Sequence, residues 1–198
     1  MALETKERIP EKIHTMHFLV HPGYLQDVKK YEGQLAKYEE AAKKIGDGEL
    51  FVIIPHIRRD MIRRGVFDQE KKITESIKRI RDTLGKRAIV LTEQRWPTTI
   101  PDPNGLIGVV RRLAHARGFS FDDQTLTKAY GEIIDACVAQ TAENINMAGK
   151  FTKPTRIIPS LTDYDPATDR GYSDNNLLGI KKTIDLERGG KGKIDISE

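Results

Sequence analysis

The apolar residues of this chain alternate between short unbroken runs and longer stretches of helical spacing. Residues 14–20, with Phe18, Leu19 and Val20 in succession, predict a first β-strand. It breaks at His21-Pro22-Gly23, a turn-forming pair behind a titratable side chain. From about Leu25 to Ile45 the residues Leu25, Val28, Tyr31, Leu35, Tyr38 and Ala42 fall on one helical stripe, and "GDG" ends it. "ELFVIIP", residues 49–55, predicts a second strand with apolar residues in succession, which suits a central strand covered on both faces. "HIRRDMIRRG" follows as a short basic turn of helix or a loop. Residues 69–84 predict a helix with Ile73, Ile77, Ile80 and Leu84 as its inner stripe. "KRAIVLTE", residues 86–93, predicts a third strand, "QRWPTTIPDPNG" a proline-rich loop, and residues 105–117 a helix stopped by Gly118. "TRIIPSLTD" predicts a late strand. Residues 164–198 are rich in Gly, Asp and Asn, with short strands expected near 181–186 and 193–197.

Strands alternating with helices predict an α/β fold: a three-layer sandwich with a mainly parallel sheet covered by helices on both faces. One domain spans residues 1–198, with 1–12 as an N-terminal extension and 164–198 as a turn-rich C-terminal segment. In such sheets ligands bind outside the carboxyl ends of the strands. Here those ends carry His21, Pro55-His56, Glu93 and Asp163-Tyr164. Strand ends also face water, so polar residues there are expected without any function.

Residues 122–149, "DDQTLTKAYGEIIDACVAQTAENINMAG", admit two readings. As one long helix, Leu126, Ala129, Tyr130, Ile133, Ile134, Cys137, Val138, Thr141 and Ile145 share a face, and Cys137 is a small core residue. As a strand "TLTKAY" turning at Gly131 into a helix, the chain puts Cys137 in the first turn of that helix. A helix N-terminus favours thiolate, and its free N–H groups can hold a developing oxyanion.

The segment "GEIIDACVAQTAENINMAG" resembles the nucleophile segment of the isochorismatase-like cysteine hydrolases. Gly131, Asp135, Cys137, Val138, Thr141, Ala142, Asn144 and Gly149 stand at positions typical of that family. "TRIIPSLTDY" is similar to the strand that follows it there. The close similarity covers about 35 residues; the rest agrees in layout. The resemblance implies hydrolysis of a small amide or ester through a cysteinyl intermediate on Cys137, with no cofactor. The family pairs its cysteine with an aspartate after the first strand and a lysine after a middle strand. Here His21 stands in the aspartate's place, and "VLTEQRW" offers Thr92, Glu93 or Arg95 for the lysine. Ile134 replaces the usual threonine before Asp135. The implied catalytic set is therefore Cys137, His21 and Glu93, with His56, Trp96 and Tyr24 as substrate contacts. A Cys–His pair is competent for acyl transfer. Lys128 is an awkward residue for a strand covered on both faces.

Composition narrows the setting. Apolar residues make up 38% and charged residues 31%, which predicts a soluble globular chain. No apolar run approaches the roughly 20 residues of a membrane span. The polar start "MALETKERIPEKIH" lacks a signal-like segment, so a cytoplasmic location is expected. The single cysteine forbids an internal disulfide and a cysteine zinc cluster. Convergence of His21, His56, Glu93 and Cys137 would suit zinc or iron, but no tight ligand motif supports it, and no metal is expected.

The net charge of +4 is concentrated. Residues 56–90 hold eleven Lys/Arg against five Asp/Glu. A second function class follows: a non-catalytic protein binding an acidic ligand or nucleic acid through residues 58–87. Arg58, Arg59, Arg63 and Arg64 would share a helical face, with Lys71, Lys72, Lys78, Arg79 and Arg81 following. Against it, Asp60, Asp68, Glu70, Glu75 and Asp82 balance the segment as an ordinary solvated face, and its aromatics are too few for base stacking. The expected partner is a small-molecule substrate. Trp96, in the proline-rich loop, suits a lid or a dimer contact, and a homo-oligomer is expected.

Overall fold

A computed structural model describes residues 9–22, 28–55, 67–91, 103–132, 137–163 and 195–196. The main sheet begins with the apolar run that opens the pattern. Strand β2, Thr15–Val20, is buried at every position. It pairs in parallel with β3, Glu49–Ile54, on one side and with β6, Leu126–Glu132, on the other. Beyond β3 lies β4, Ala88–Val90; beyond β6 lie β7, Arg156–Asp163, and β8, Asp195–Ile196. All five pairings are parallel. A separate parallel pair joins β1, Glu11–Lys12, to β5, Phe119–Ser120, an element the apolar pattern is too short to announce.

The sheet order is β4-β3-β2-β6-β7-β8. Counting those six strands in chain order gives 3-2-1-4-5-6, the order of a doubly wound sheet. The chain steps one way from β2 to β4, then returns past β2 to β6 and steps the other way. Right-handed crossovers then put the connecting helices on opposite faces. Helix α1, Val28–Lys43, and helix α2, Phe67–Leu84, cover one face with Leu35, Tyr38, Ala42 and Ile80 over Leu19, Phe51, Ile53 and Tyr130. Helix α3, Pro103–Ala116, and helix α4, Ala139–Gly149, cover the other with Ile107, Val110, Ala142 and Ile145 over Phe18, Val20, Val52 and Ala129. This is the three-layer arrangement predicted from the alternation of elements. Odd positions of β2 face α1 and even positions face α3 and α4, as a period of two requires.

Two details depart from expectation. The third strand is three residues long, because Gly85–Arg87 wind into a 3₁₀ turn where a strand was predicted; Leu91 follows it, and Thr92 and Glu93 lie outside the described residues. Gly131 does not turn the chain out of the sheet. It stays within β6 at φ 133, and the strand runs on to Glu132. The helical alternative for residues 122–149 is thereby excluded.

The ladder between β6 and β7 is broken at the same level. Ala129 pairs with Ile157, but Gly131 pairs with Thr162, so Ile158–Leu161 bulge opposite Tyr130. Pro159 sits in the bulge and has no N–H to donate to a ladder. Thr162 Oγ1 donates to the Ile158 carbonyl at 2.6 Å and closes it.

Candidate functional site

The return of the chain past β2 makes the gap between the carboxyl ends of β2 and β6 the topological switch point, where open α/β sheets bind ligands. Val20 and Gly131 are register partners there. A Cβ on Gly131 would meet the Val20 carbonyl oxygen at 2.0 Å, so only glycine permits this approach. One residue further on each strand come His21 and Glu132.

His21 is 3% exposed and adopts φ 49, a left-handed conformation uncommon for a residue with a side chain. Pro22 follows it, and a residue before proline is ordinarily extended. Such a backbone costs about 1–3 kcal/mol and persists where surroundings over-determine it. One restraint is visible: His21 N–H donates to the Ile54 carbonyl at 2.8 Å, tying the end of β2 to the end of β3. The odd strand ending is therefore a strained, buried histidine at the switch point.

Glu132 is 1% exposed and pairs in register with Asp163 of β7. A buried carboxylate beside the strand end that carries His21 is the site residue that sequence reasoning missed. Its signal was present, since Glu132 directly follows the in-strand glycine. It was passed over because that glycine was read as the end of the strand.

Cys137 is a half-buried thiol that forms no disulfide. It lies with Val138 in a wide, π-wound turn that leads into α4, and it packs against the core on the α3 and α4 face. Wide turns of this kind are rare and recur at functional sites. The chain thus carries Cys137 off the end of β6, five residues after Glu132. Of the predicted site residues, His21 and Cys137 belong to the ends of the two adjacent central strands. Glu93, His56, Trp96 and Tyr24 lie outside the described residues. Among the described residues no group of three or more His, Cys, Asp or Glu is disposed to hold a metal ion. No described helix is long and apolar enough to cross a membrane.

The basic segment divides. Residues 58–66 lie outside the described residues. In the remainder, cations are committed to carboxylates elsewhere in the fold. Lys72 pairs with Glu32, Arg79 with Glu39 at 2.8 Å, Lys86 with Glu11 at 3.5 Å, and Arg87 with Asp47. Ser76 adds a 2.7 Å hydrogen bond to Glu39. Two of these pairs clamp α2 onto α1. Lys71, Lys78 and Arg81 stay exposed.

The fold and its switch-point residues define a doubly wound α/β protein with a histidine, a buried carboxylate and a cysteine-bearing helix at the central strand ends. Comparison with family models, curated proteins and solved structures finds no match to this chain.

Proposed function

We propose that the chain is a divergent isochorismatase-like protein that hydrolyses a small amide or ester through Cys137. The observation that carries this reading is that His21 and the Cys137 turn follow adjacent central strands at the switch point. Three features support it further. Residues 126–132 form a strand rather than a helix, Gly131 has a steric reason to be glycine, and Cys137 lies in the helical turn that leads into α4.

In this reading His21 takes the thiol proton and the thiolate attacks the substrate carbonyl carbon. Backbone N–H groups at the start of α4 hold the oxyanion. The C–N or C–O bond then breaks, and His21 returns its proton to the leaving group. Water, deprotonated by His21, opens the thioester and restores the thiol. Glu132 orients the imidazole and stabilises its charged form. Glu93 holds the place of the family's lysine. The alternative, an acidic-ligand or nucleic-acid protein using residues 58–87, draws less support, because much of the described part of that segment is already paired.

Thiol labelling tests the proposal. Iodoacetamide should modify Cys137 rapidly in the folded protein near pH 7, and His21→Ala should slow modification at least tenfold, as loss of an activating base does. Labelling that requires denaturant, or a rate indifferent to His21→Ala, would refute it.

A further inference from the structure

A cavity lies away from the switch point, between α1 and the sheet, with a volume of about 630 Å³. That is the size range of small-molecule sites. The bulge in β7 builds one wall, with Ile158, Ser160 and Leu161. Small residues of α1 (Gly33, Ala36 and Ala41) leave the opposite wall low. His17, Lys128 and Tyr130 line its sheet side. His17 precedes His21 by four residues of β2, roughly 13 Å along a strand. It faces α1, whereas Cys137 packs on the other face. The two sites are therefore separate.

The charges around this cavity do not cancel. Lys37, Lys44 and Lys128 line it and form no ion pair among the described residues. Of its two carboxylates, Glu40 is answered by Lys43, while Glu49 keeps its charge near Lys128, leaving an excess of cations. Glu40 pairs with Lys43 at 2.6 Å, and Glu49 Oε2 accepts the Gly46 N–H at 2.9 Å. Glu49 Oε1 lies 3.6 Å from His17 Nε2, too far for a hydrogen bond. His17 is 8% exposed, and burial, helped by Lys128, pushes its imidazole down to about 4, so the ring is neutral at pH 7. That contact is thus not an ion pair. The Tyr130 hydroxyl lies 3.3 Å from His17 Nδ1 and completes a polar floor. The walls of Ala36, Ala41, Ile45, Ile158 and Leu161 are apolar.

We propose that this cavity binds a small organic acid, its apolar body between α1 and the β7 bulge and its carboxylate held by Lys128 with Lys37 and Lys44. Lys128 is the anchor, because it rises from a central strand and is half-buried, so its charge is less screened than a rim lysine's. This also gives a reason for a lysine within β6.

Titration of the full chain with 4-phenylbutanoate tests it, with the neutral 4-phenylbutanamide as matched control and the His17 and Tyr130 ring resonances as local reporters. The acid should shift both resonances and bind about tenfold more tightly than the amide, the scale of a charge-assisted contact. Lys128→Gln should remove that preference. Ala36→Trp, a substitution at an exposed helix position, should fill the cavity and abolish the shifts while the circular dichroism spectrum is unchanged. Equal affinity for acid and amide, no shift at millimolar acid, or binding that survives Ala36→Trp would overturn the proposal. Cys137 labelling is unaffected by any of these outcomes, so the two sites are tested independently.

Discussion

Gly131→Ala is the sharpest perturbation of the switch point. The added Cβ would lie 2.0 Å from the Val20 oxygen, 2.7 Å from its nitrogen and 2.8 Å from its carbonyl carbon. All three are backbone atoms of the central, wholly buried strand, so no side chain can swing aside. Overpacking of this kind costs about 1–3 kcal/mol. The positive φ of 133 adds about 1–3 kcal/mol for a residue with a side chain. The sum, about 2–6 kcal/mol, is a large part of an ordinary domain stability of about 5–15 kcal/mol. Gly118→Ala separates the two contributions. Gly118 has φ 80 but nothing within 4 Å of a built Cβ, so it should show the conformational cost alone. Urea unfolding followed by far-ultraviolet circular dichroism measures both, and the difference between the variants is the steric part. If Gly131→Ala is no more destabilising than Gly118→Ala, β2 and β6 do not approach as described, and the site built on that approach fails with it.

Further outcomes are expected. Gly33 lies in α1 with nothing within 4 Å of a built Cβ, so Gly33→Ala should stabilise by about 0.5–1 kcal/mol in the same urea assay. Thr155→Val should cost about 1–3 kcal/mol, because it strips the 2.9 Å partner from the buried Thr127 hydroxyl and one of the two Thr155 bonds from Asn146 Oδ1, which keeps the Thr155 N–H at 2.7 Å. His17 is buried neutral with its imidazole lowered to about 4 from an ordinary 6.5, first by burial and then by Lys128. The unfolded chain then takes a proton that the folded chain refuses. Stability should be full above pH 6.5 and fall by up to about 1.4 kcal/mol per unit between there and about pH 4. His17→Gln should flatten that slope, measured as unfolding free energy against pH. Glu39 has the opposite history: the Arg79 guanidinium, with Ser76, holds its carboxyl below the ordinary range against burial. Its contribution is present above the ordinary carboxylate range and lost as pH falls through the depressed value, and Glu39→Gln should remove about 1 kcal/mol at pH 7.

The layout of the fold was legible because its elements follow strong periodic signals. Phe18–Val20 and Leu50–Ile54 are unbroken apolar runs, buried at every position, and a run of that kind has few other uses. The stripe on α1 was correct at Leu35, Tyr38 and Ala42, all buried. Ambiguities and failures came where pairing, not propensity, decides conformation. "TLTKAY" has too little apolar character to declare itself a central strand, yet β2 and β7 hold it there on both sides. Arg87 was assigned to a strand, but its side chain reaches Asp47 and the Gly46 carbonyl from a 3₁₀ turn instead.

The site was legible in part, for a related reason. His21 stood out because a titratable residue interrupting an apolar run before Pro-Gly has a local signature. Glu132 had only the glycine before it as a signal, and that glycine was read as the end of the strand. Gly131 stays in the ladder only because it lacks a side chain, and β7 must then release four residues to regain register at Thr162. That one irregularity has consequences at two levels of the sheet. Toward the carboxyl end the ladder resumes with Glu132 opposite Asp163. Toward α1 Ile158, Ser160 and Leu161 of the bulge form a wall of the cavity beside that helix. Pro159, which falls within the late strand expected at "TRIIPSLTD", sits in the bulge and denies the ladder a donor there. Restoring a regular strand there should therefore disturb both sites together, whereas Lys128→Gln should disturb only the one that faces α1.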